Sequence, residues 1–150
     1  MKPIMASSLF VCALASLVAI VMTSATVRAD NDVPSCGVQT LRGSYLFATH
    51  GWNIVSGVAQ PKAIVEDIDF NGDGTLVSPF ATLSANGIII HSSGTPGSYM
   101  INPDCTGTLT FTGGLSYDIF VEANGRQLRM IQTGGPAPAV FEGTATRVSH

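Results

Sequence analysis

The sequence carries little charge, few histidines and no motif of an established catalytic centre. Only 11% of the 150 residues are Asp, Glu, Lys or Arg, and there are three histidines. No Gly-x-Ser-x-Gly elbow occurs, and no glycine-rich loop precedes a helical pattern, so a hydrolase triad and a phosphate loop have no support. His50 and His91 lie on different predicted strands without a third ligand at metal spacing. We therefore expect no metal site and no cofactor.

Basic residues are scarce in the main part of the chain. Beyond residue 29 there are five Lys and Arg residues against ten Asp and Glu residues, which gives a net charge of −5. A protein that binds nucleic acid through its backbone phosphates needs a clustered basic surface. We therefore expect no nucleic-acid partner.

Long hydrophobic runs are confined to the N-terminal region. Lys2 precedes an apolar stretch at residues 10–22, and Val27-Arg28-Ala29 follows it. This order is typical of a secretory signal peptide. We predict a signal peptide over residues 1–29, cleaved after Ala29, with Ala25 as the alternative site. An uncleaved anchor is the competing interpretation, but the apolar run is shorter than the roughly 20 residues that span a bilayer.

The predicted signal peptide has consequences for location and domain organisation. We expect a secreted or periplasmic protein with no membrane association after cleavage. Residues 30–150 then form a single domain, long enough to bury one core. Two cysteines remain in it, Cys36 and Cys105. In an oxidising compartment they predict one disulfide, with two separate free thiols as the alternative.

The chain also lacks a helical period beyond a single turn near residues 38–41. Three Asn-Gly dipeptides, which favour two-residue hairpin turns, instead separate short apolar runs: Asn71-Gly72, Asn86-Gly87 and Asn124-Gly125. Strands are predicted at 44–50, 62–70, 75–84, 88–92, 98–101, 106–112, 115–122, 126–133 and 140–148, with a loop over residues 51–61. Consecutive hairpins favour an all-β fold, a small antiparallel up-and-down β-barrel of about eight strands, with a sandwich as the alternative.

Four short motifs of the chain carry a resemblance to one group of proteins. They are Leu41-Arg42-Gly43-Ser44-Tyr45, Asp69-Phe70-Asn71-Gly72-Asp73-Gly74, Gly97-Ser98-Tyr99 and Asp104-Cys105-Thr106-Gly107-Thr108. With these motifs the chain resembles small secreted bacterial proteins with a calycin-like or allene-oxide-cyclase-like barrel, most of them functionally uncharacterised. The resemblance implies an eight-stranded barrel with a central apolar cavity. It transfers no catalytic residue, because none matches a motif position.

The residues from Asp69 to Gly74 also fit the opening of a calcium loop, which needs a bidentate carboxylate six positions after its central glycine. That position is Phe80. We therefore interpret the segment as a hairpin turn.

Glu66 is the one candidate for acid–base chemistry. On the second predicted strand it shares a face with Ile64, Ile68 and Phe70. If this face lines the barrel, burial raises the carboxyl pKa toward values suited to proton transfer. The alternative places Glu66 at the rim, paired with an arginine.

Tyr45, Tyr99 and Tyr117 lie on apolar strand faces, where their hydroxyls would orient a polar group of an apolar ligand. The alternative is that they are core residues. The sequence thus predicts a small barrel that binds an apolar small molecule, and whether it is an enzyme stays open. One alternative is a cyclase- or isomerase-type enzyme that uses Glu66. The other is a structural or oligomeric interaction protein.

Overall fold

The computed structural model describes residues 35–148, which fold into nine antiparallel strands preceded by a 3-10 turn at Val38–Thr40. The predicted signal peptide lies outside these residues. The strands are β1 (Gly43–Val55), β2 (Val58–Phe70), β3 (Thr75–Ala85), β4 (Ile88–Ser92), β5 (Thr95–Ile101), β6 (Thr106–Phe111), β7 (Ser116–Val121), β8 (Gln127–Gly134) and β9 (Ala139–Arg147).

Eight of these strands close into a barrel. The pairing runs β1-β2-β3-β5-β6-β7-β8-β9, and β9 returns to β1. Closure removes free sheet edges around the barrel, which is the usual reason that a small all-β chain closes. The prediction of an antiparallel barrel of about eight strands is confirmed.

β4 departs from the predicted simple meander, because it lies outside the closed barrel. The second half of β3 pairs with β4 over Ala81–Ala85, while the first half pairs with β5 over Thr75–Ser78. A register shift between Asp67 and Asp69 of β2 bends the sheet where β3 changes partner. β4 therefore extends the sheet beyond the barrel wall.

The predicted loop over residues 51–61 is wrong. β1 and β2 continue through it as a hairpin of thirteen residues per strand. The turn is Ser56-Gly57, whose φ angles of 51° and 79° are those of a two-residue hairpin turn. Pro61 lies at the end of the β2–β3 ladder, one residue before the pair of Lys62 with Ala85, and its carbonyl oxygen accepts a hydrogen bond from the Asn86 amide at 2.8 Å.

The Asn-Gly dipeptides all occupy hairpin connections, but they form different turns. Asn86-Gly87 is a two-residue turn with φ angles of 50° and 84°. Asn71-Gly72 lies in a four-residue connection in which Gly72 and Gly74 have positive φ. At Asn124-Gly125 only the glycine has positive φ. The dipeptide thus marks the hairpin without specifying the turn length.

Inward and outward side chains alternate along the strands, so the interior is filled from all sides. The buried core consists of Leu41, Tyr45, Phe47, Ile68, Phe70, Leu76, Tyr99, Leu109, Phe111, Tyr117, Ile119, Val121, Leu128, Met130, Phe141 and Ala145. The aromatic rings meet edge to face, Phe70 contacting both Tyr45 and Tyr99. These buried rings pack against one another inside the barrel.

One end of the barrel is closed by the segment that precedes β1. Leu41 is fully buried in the core there, and Tyr99 places its hydroxyl 2.8 Å from the carbonyl oxygen of Val38. The predicted disulfide is present between Cys36 and Cys105, and it ties this segment to the β5–β6 connection. We call this the closed end and the opposite one, where the Ser56-Gly57 turn lies, the open end.

Candidate ligand site at the open end

Glu66 points into the barrel, as the alternation along β2 predicts. Its neighbours on the inward face are Ile64 and Ile68, and the Glu66 side chain is only 6% exposed. Burial raises the pKa of the Glu66 carboxyl to about 6, against smaller lowering effects of a hydrogen bond with Ser78 and of the charge of Lys62. The carboxyl therefore changes its charge close to neutral pH.

Tyr117 is the phenol beside this carboxyl. It lies on the inward face of β7, and its ring contacts Phe47 and Phe111 edge to face. Burial, and to a smaller extent the Glu66 charge, raise the pKa of Tyr117 well above its usual range. The Tyr117 hydroxyl therefore stays protonated and remains a hydrogen-bond donor.

Lys62 is a buried cation that the sequence analysis did not single out. It is 8% exposed, and its Nζ donates to Oε1 of Gln132 at 3.1 Å and lies 4.0 Å from the centre of the Phe141 ring. Burial lowers the pKa of Lys62, while the Glu66 charge opposes this effect. An ammonium over an aromatic face is stabilised by the ring quadrupole, which offsets part of its desolvation.

Gly51 explains how Lys62 reaches this position. In the register, Gly51 of β1 lies between Lys62 of β2 and Phe141 of β9. A Cβ at Gly51 would stand 2.1 Å from the carbonyl oxygen of Val140. The bare backbone at Gly51 thus lets β1 and β9 approach closely and lets the lysine stem cross β1 toward Phe141. The sequence allows the pairing of Gly51 with Lys62 to be predicted only once the Ser56-Gly57 turn is known.

Two of the cavities on the open half of the barrel are lined by Glu66 or by Gln132. The first has a volume of about 240 Å³, and Glu66 lines it together with the apolar side chains of Ile64, Ala81, Leu83, Ile90, Phe111 and Leu115. The second has a volume of about 420 Å³ and is formed by the β8–β9 connection, with Gln132 at its wall. Gln132, which lines the second cavity, accepts a hydrogen bond from Lys62, and the charge of Lys62 lowers the pKa of Glu66, which lines the first.

The three predicted ligand-binding tyrosines are not brought together. The Tyr45 hydroxyl donates to the carbonyl oxygen of Gly125 at the closed end. The Tyr99 hydroxyl, also at the closed end, accepts from the amide of Gly72 at 3.1 Å and lies 3.0 Å from the Leu41 carbonyl oxygen. These two hydroxyls hold the closing segment and its neighbouring turns, which leaves Tyr117 as the phenol near Glu66.

The segment from Asp69 to Gly74, which in sequence fits the opening of a calcium loop, forms a hairpin turn that side-chain hydrogen bonds stabilise. Oδ1 of Asp73 accepts from the backbone amide of Thr75 at 2.9 Å and from its hydroxyl at 2.6 Å, which lowers the pKa of Asp73. Asp104 and Thr106 repeat this arrangement after β5. Within residues 35–148, no group of three or more His, Cys, Asp or Glu side chains is placed to hold a metal ion.

Glu66→Gln is expected to change how stability depends on pH. The carboxyl pKa is near 4.5 when exposed and about 6 in the fold, so folding favours the protonated form. The stabilisation is complete below pH 4.5 and is lost as the pH rises through 6, a change of about 2 kcal/mol. Relative to wild type, the variant should therefore gain about 2 kcal/mol between pH 4 and pH 7.5 in urea unfolding. A difference between the two proteins that does not vary with pH would show that Glu66 is solvated.

Comparisons with protein families, curated proteins and solved structures found no match to this chain. Over the described part of the chain, no helix has the length and apolar character that crossing a membrane requires.

Proposed function

We propose that the barrel binds one small, mostly apolar molecule at its open end, with Glu66 contacting the polar group of that molecule. The observation that supports this most is the cavity of about 240 Å³, whose wall is apolar except for a few polar groups, Glu66 being the charged one. Ligand sites commonly combine an apolar lining with a few convergent polar groups. Given the predicted signal peptide, the proposed place of binding is the periplasm or the cell exterior.

The size of the cavity limits the ligand. Sites for drug-sized molecules usually measure roughly 300–1,000 Å³, so a cavity of about 240 Å³ suits a smaller compound. The aromatic core blocks the closed half of the barrel. The ligand therefore enters and leaves through the open end, with its apolar part against Ile64, Leu83 and Phe111.

The protonation of Glu66 determines which polar group is preferred. Above pH 6 the carboxylate accepts hydrogen bonds and favours a protonated amine, whereas below pH 6 the neutral carboxyl also donates. A charge-assisted hydrogen bond contributes more than a neutral one, by about 1.4 kcal/mol, which is a factor of about ten in affinity. At pH 7.5 the protein is therefore expected to prefer an amine to the alcohol of the same chain length.

Ligand-observed NMR titrations with 1-octanol and octylamine at pH 7.5 test this proposal. Wild type should bind octylamine about ten times more tightly than 1-octanol, and Glu66→Gln should bind the two with similar affinity. Thr108→Gln, on the exposed face of β6, is the matched control and should behave as wild type. If neither compound binds, or if Glu66→Gln keeps the wild-type preference for octylamine, the proposed site is contradicted.

A cyclase- or isomerase-type enzyme is the second candidate function. The buried Glu66 carboxyl with a pKa of about 6 supports it, because a group with such a pKa transfers protons efficiently near neutral pH. In that case Glu66→Gln would retain an apolar substrate but would no longer convert it. Mass spectrometry of the bound compound before and after incubation distinguishes an enzyme from a binding protein.

A further inference from the structure

Lys62 is the only lysine of the chain beyond Lys2, because the other four basic residues after residue 29 are arginines. Its side chain is buried on the inward face of β2. Lysine is among the residues that proteins bury least often, and a buried lysine is usually paired with a carboxylate. A lysine that served only solubility would point outward. The inward position of Lys62 therefore indicates a role for the amine itself.

The Lys62 amine contacts two neutral groups. Its Nζ donates to Oε1 of Gln132 at 3.1 Å and lies over the Phe141 ring. The charge of Glu66 also acts on the amine, but burial has the larger effect and lowers the pKa of Lys62. A lowered pKa raises the fraction of neutral amine, whose lone pair attacks carbonyl compounds in reactions of lysine.

The cavity of about 420 Å³ reaches this amine through Gln132, which lines it. Because Oε1 of Gln132 accepts from Lys62, the Nε2 of the same amide remains available as a donor. Nε2 lies 2.7 Å from the position that a Cβ at Gly135 would occupy, and Gly135 lines the same cavity. The bare backbone at Gly135 thus leaves room for the Gln132 amide in the cavity wall.

The composition of this cavity limits the class of ligand. The residues that line it, from the end of β8 to the start of β9, are uncharged. Its volume is within the roughly 300–1,000 Å³ that is usual for small-molecule sites. A carbonyl oxygen could accept a hydrogen bond from Nε2 of Gln132, and the amine that Oε1 holds is then on the same side of the ligand.

We propose that Lys62 forms a reversible imine with a small aldehyde or ketone bound in the cavity that Gln132 lines. The lone pair of the neutral amine attacks the carbonyl carbon, and one N–H proton moves to the carbonyl oxygen. The resulting hydroxyl group then leaves with the second N–H proton as water, and a C=N bond forms. No oxidant or reductant is needed, and water reverses the reaction.

Gln132 is the positioning residue of this site. Its Oε1 fixes Nζ of Lys62, and its Nε2 can stabilise the negative charge that develops on the carbonyl oxygen during attack. The site differs from the amine site proposed at Glu66 in its cavity and in its reacting group. The imine therefore does not depend on the ligand proposed for Glu66.

Trapping with hexanal and sodium cyanoborohydride at pH 7.5 tests the imine. The reagent supplies the hydride that converts an imine into a stable secondary amine, and peptide mass spectrometry locates the product. Lys62 should be modified roughly ten times faster in the native protein than in the urea-unfolded protein. Its rate should saturate with hexanal concentration, whereas the rate of Nα-acetyl-lysine amide in the same solution should rise linearly.

Gln132→Leu tests the positioning residue, because it removes both Oε1 and Nε2. The modification of Lys62 should become roughly ten times slower in this variant. Gln127→Leu is the matched control, since it makes the same change on the same strand, where the Gln127 side chain bonds to Thr146. This control should react as wild type. If Gln132→Leu does not fold, the comparison of native with unfolded wild type decides alone.

Three outcomes overturn the proposal. Slower modification of Lys62 in the native protein than in the unfolded protein would show a purely structural lysine that the fold protects. A rate that rises linearly with hexanal would show that no ligand binds before the bond forms. Equal rates in Gln132→Leu and wild type would show that the cavity wall takes no part in the reaction.

Discussion

Removing the disulfide by replacing Cys36 and Cys105 together with serine is expected to lower the free energy of unfolding by about 4 kcal/mol. The two cysteines are separated by 69 positions, so the bond removes a large loop entropy from the unfolded chain. In the folded protein it holds the segment that covers the closed end, where Leu41 is fully buried. Urea unfolding of the variant and of wild type measures the difference.

The backbone at Cys105 requires a control for this experiment. Cys105 has a φ of 68°, a conformation that serine does not relieve. Wild type reduced with a phosphine keeps both cysteines and should lose a similar free energy. Reduction should accelerate amide hydrogen exchange more in the closing segment than at Ile64 and Leu83 near the open end. A loss below about 1 kcal/mol in both samples would contradict a stabilising role of the bond.

Gly51→Ala is expected to destabilise the protein by about 3 kcal/mol, at the upper end of the usual cost of overpacking. The added methyl group would stand 2.1 Å from the carbonyl oxygen of Val140 and 3.0 Å from Cα of Phe141. Both are backbone atoms, so the clash cannot be relieved by a side-chain rotation. β1 and β9 must separate at this pair, and the Lys62 stem loses its path toward Phe141.

Thermal and urea unfolding measure this effect, and Thr108→Val, on an exposed strand face, is the control for an added methyl group that meets no backbone atom of a neighbouring strand. The NMR signals of the Lys62 side chain provide a second readout, because the Phe141 ring shifts them in wild type. In Gly51→Ala these ring-current shifts should decrease. Wild-type stability together with unchanged Lys62 shifts would contradict the close β1–β9 approach.

The sequence predicted most of the barrel because hairpin turns and alternation are local signals. The outward threonines of β6 and the inward Ile64 and Glu66 of β2 follow directly from a period of two. The prediction of a loop at residues 51–61 was wrong, also for a local reason. Its small residues and Pro61 suggested irregular structure, while the turn at Ser56-Gly57 used serine in place of the more readily recognised asparagine.

The position of β4 and the surroundings of Glu66 could not be predicted from local sequence patterns. β4 has the alternation of any other strand, and only the change of partner along β3 places it outside the barrel. The inward direction of Glu66 was predictable, but its neighbour Tyr117 comes from β7, far along the chain. The Lys62 contact with Gln132 and Phe141 depends on the closure of the barrel through β9, which no short window of sequence contains.

Amide chemical-shift mapping of the ¹⁵N-labelled protein during a titration with octylamine tests whether the open half of the barrel is a ligand site built around Glu66. We expect saturable shifts at Ile64, Glu66 and Leu83, which line the cavity. Tyr45 and Tyr99, whose hydroxyls bond to the backbone at the closed end, should not shift. Shifts confined to the closed end, or none up to the solubility limit of the amine, would contradict a ligand site at the open end.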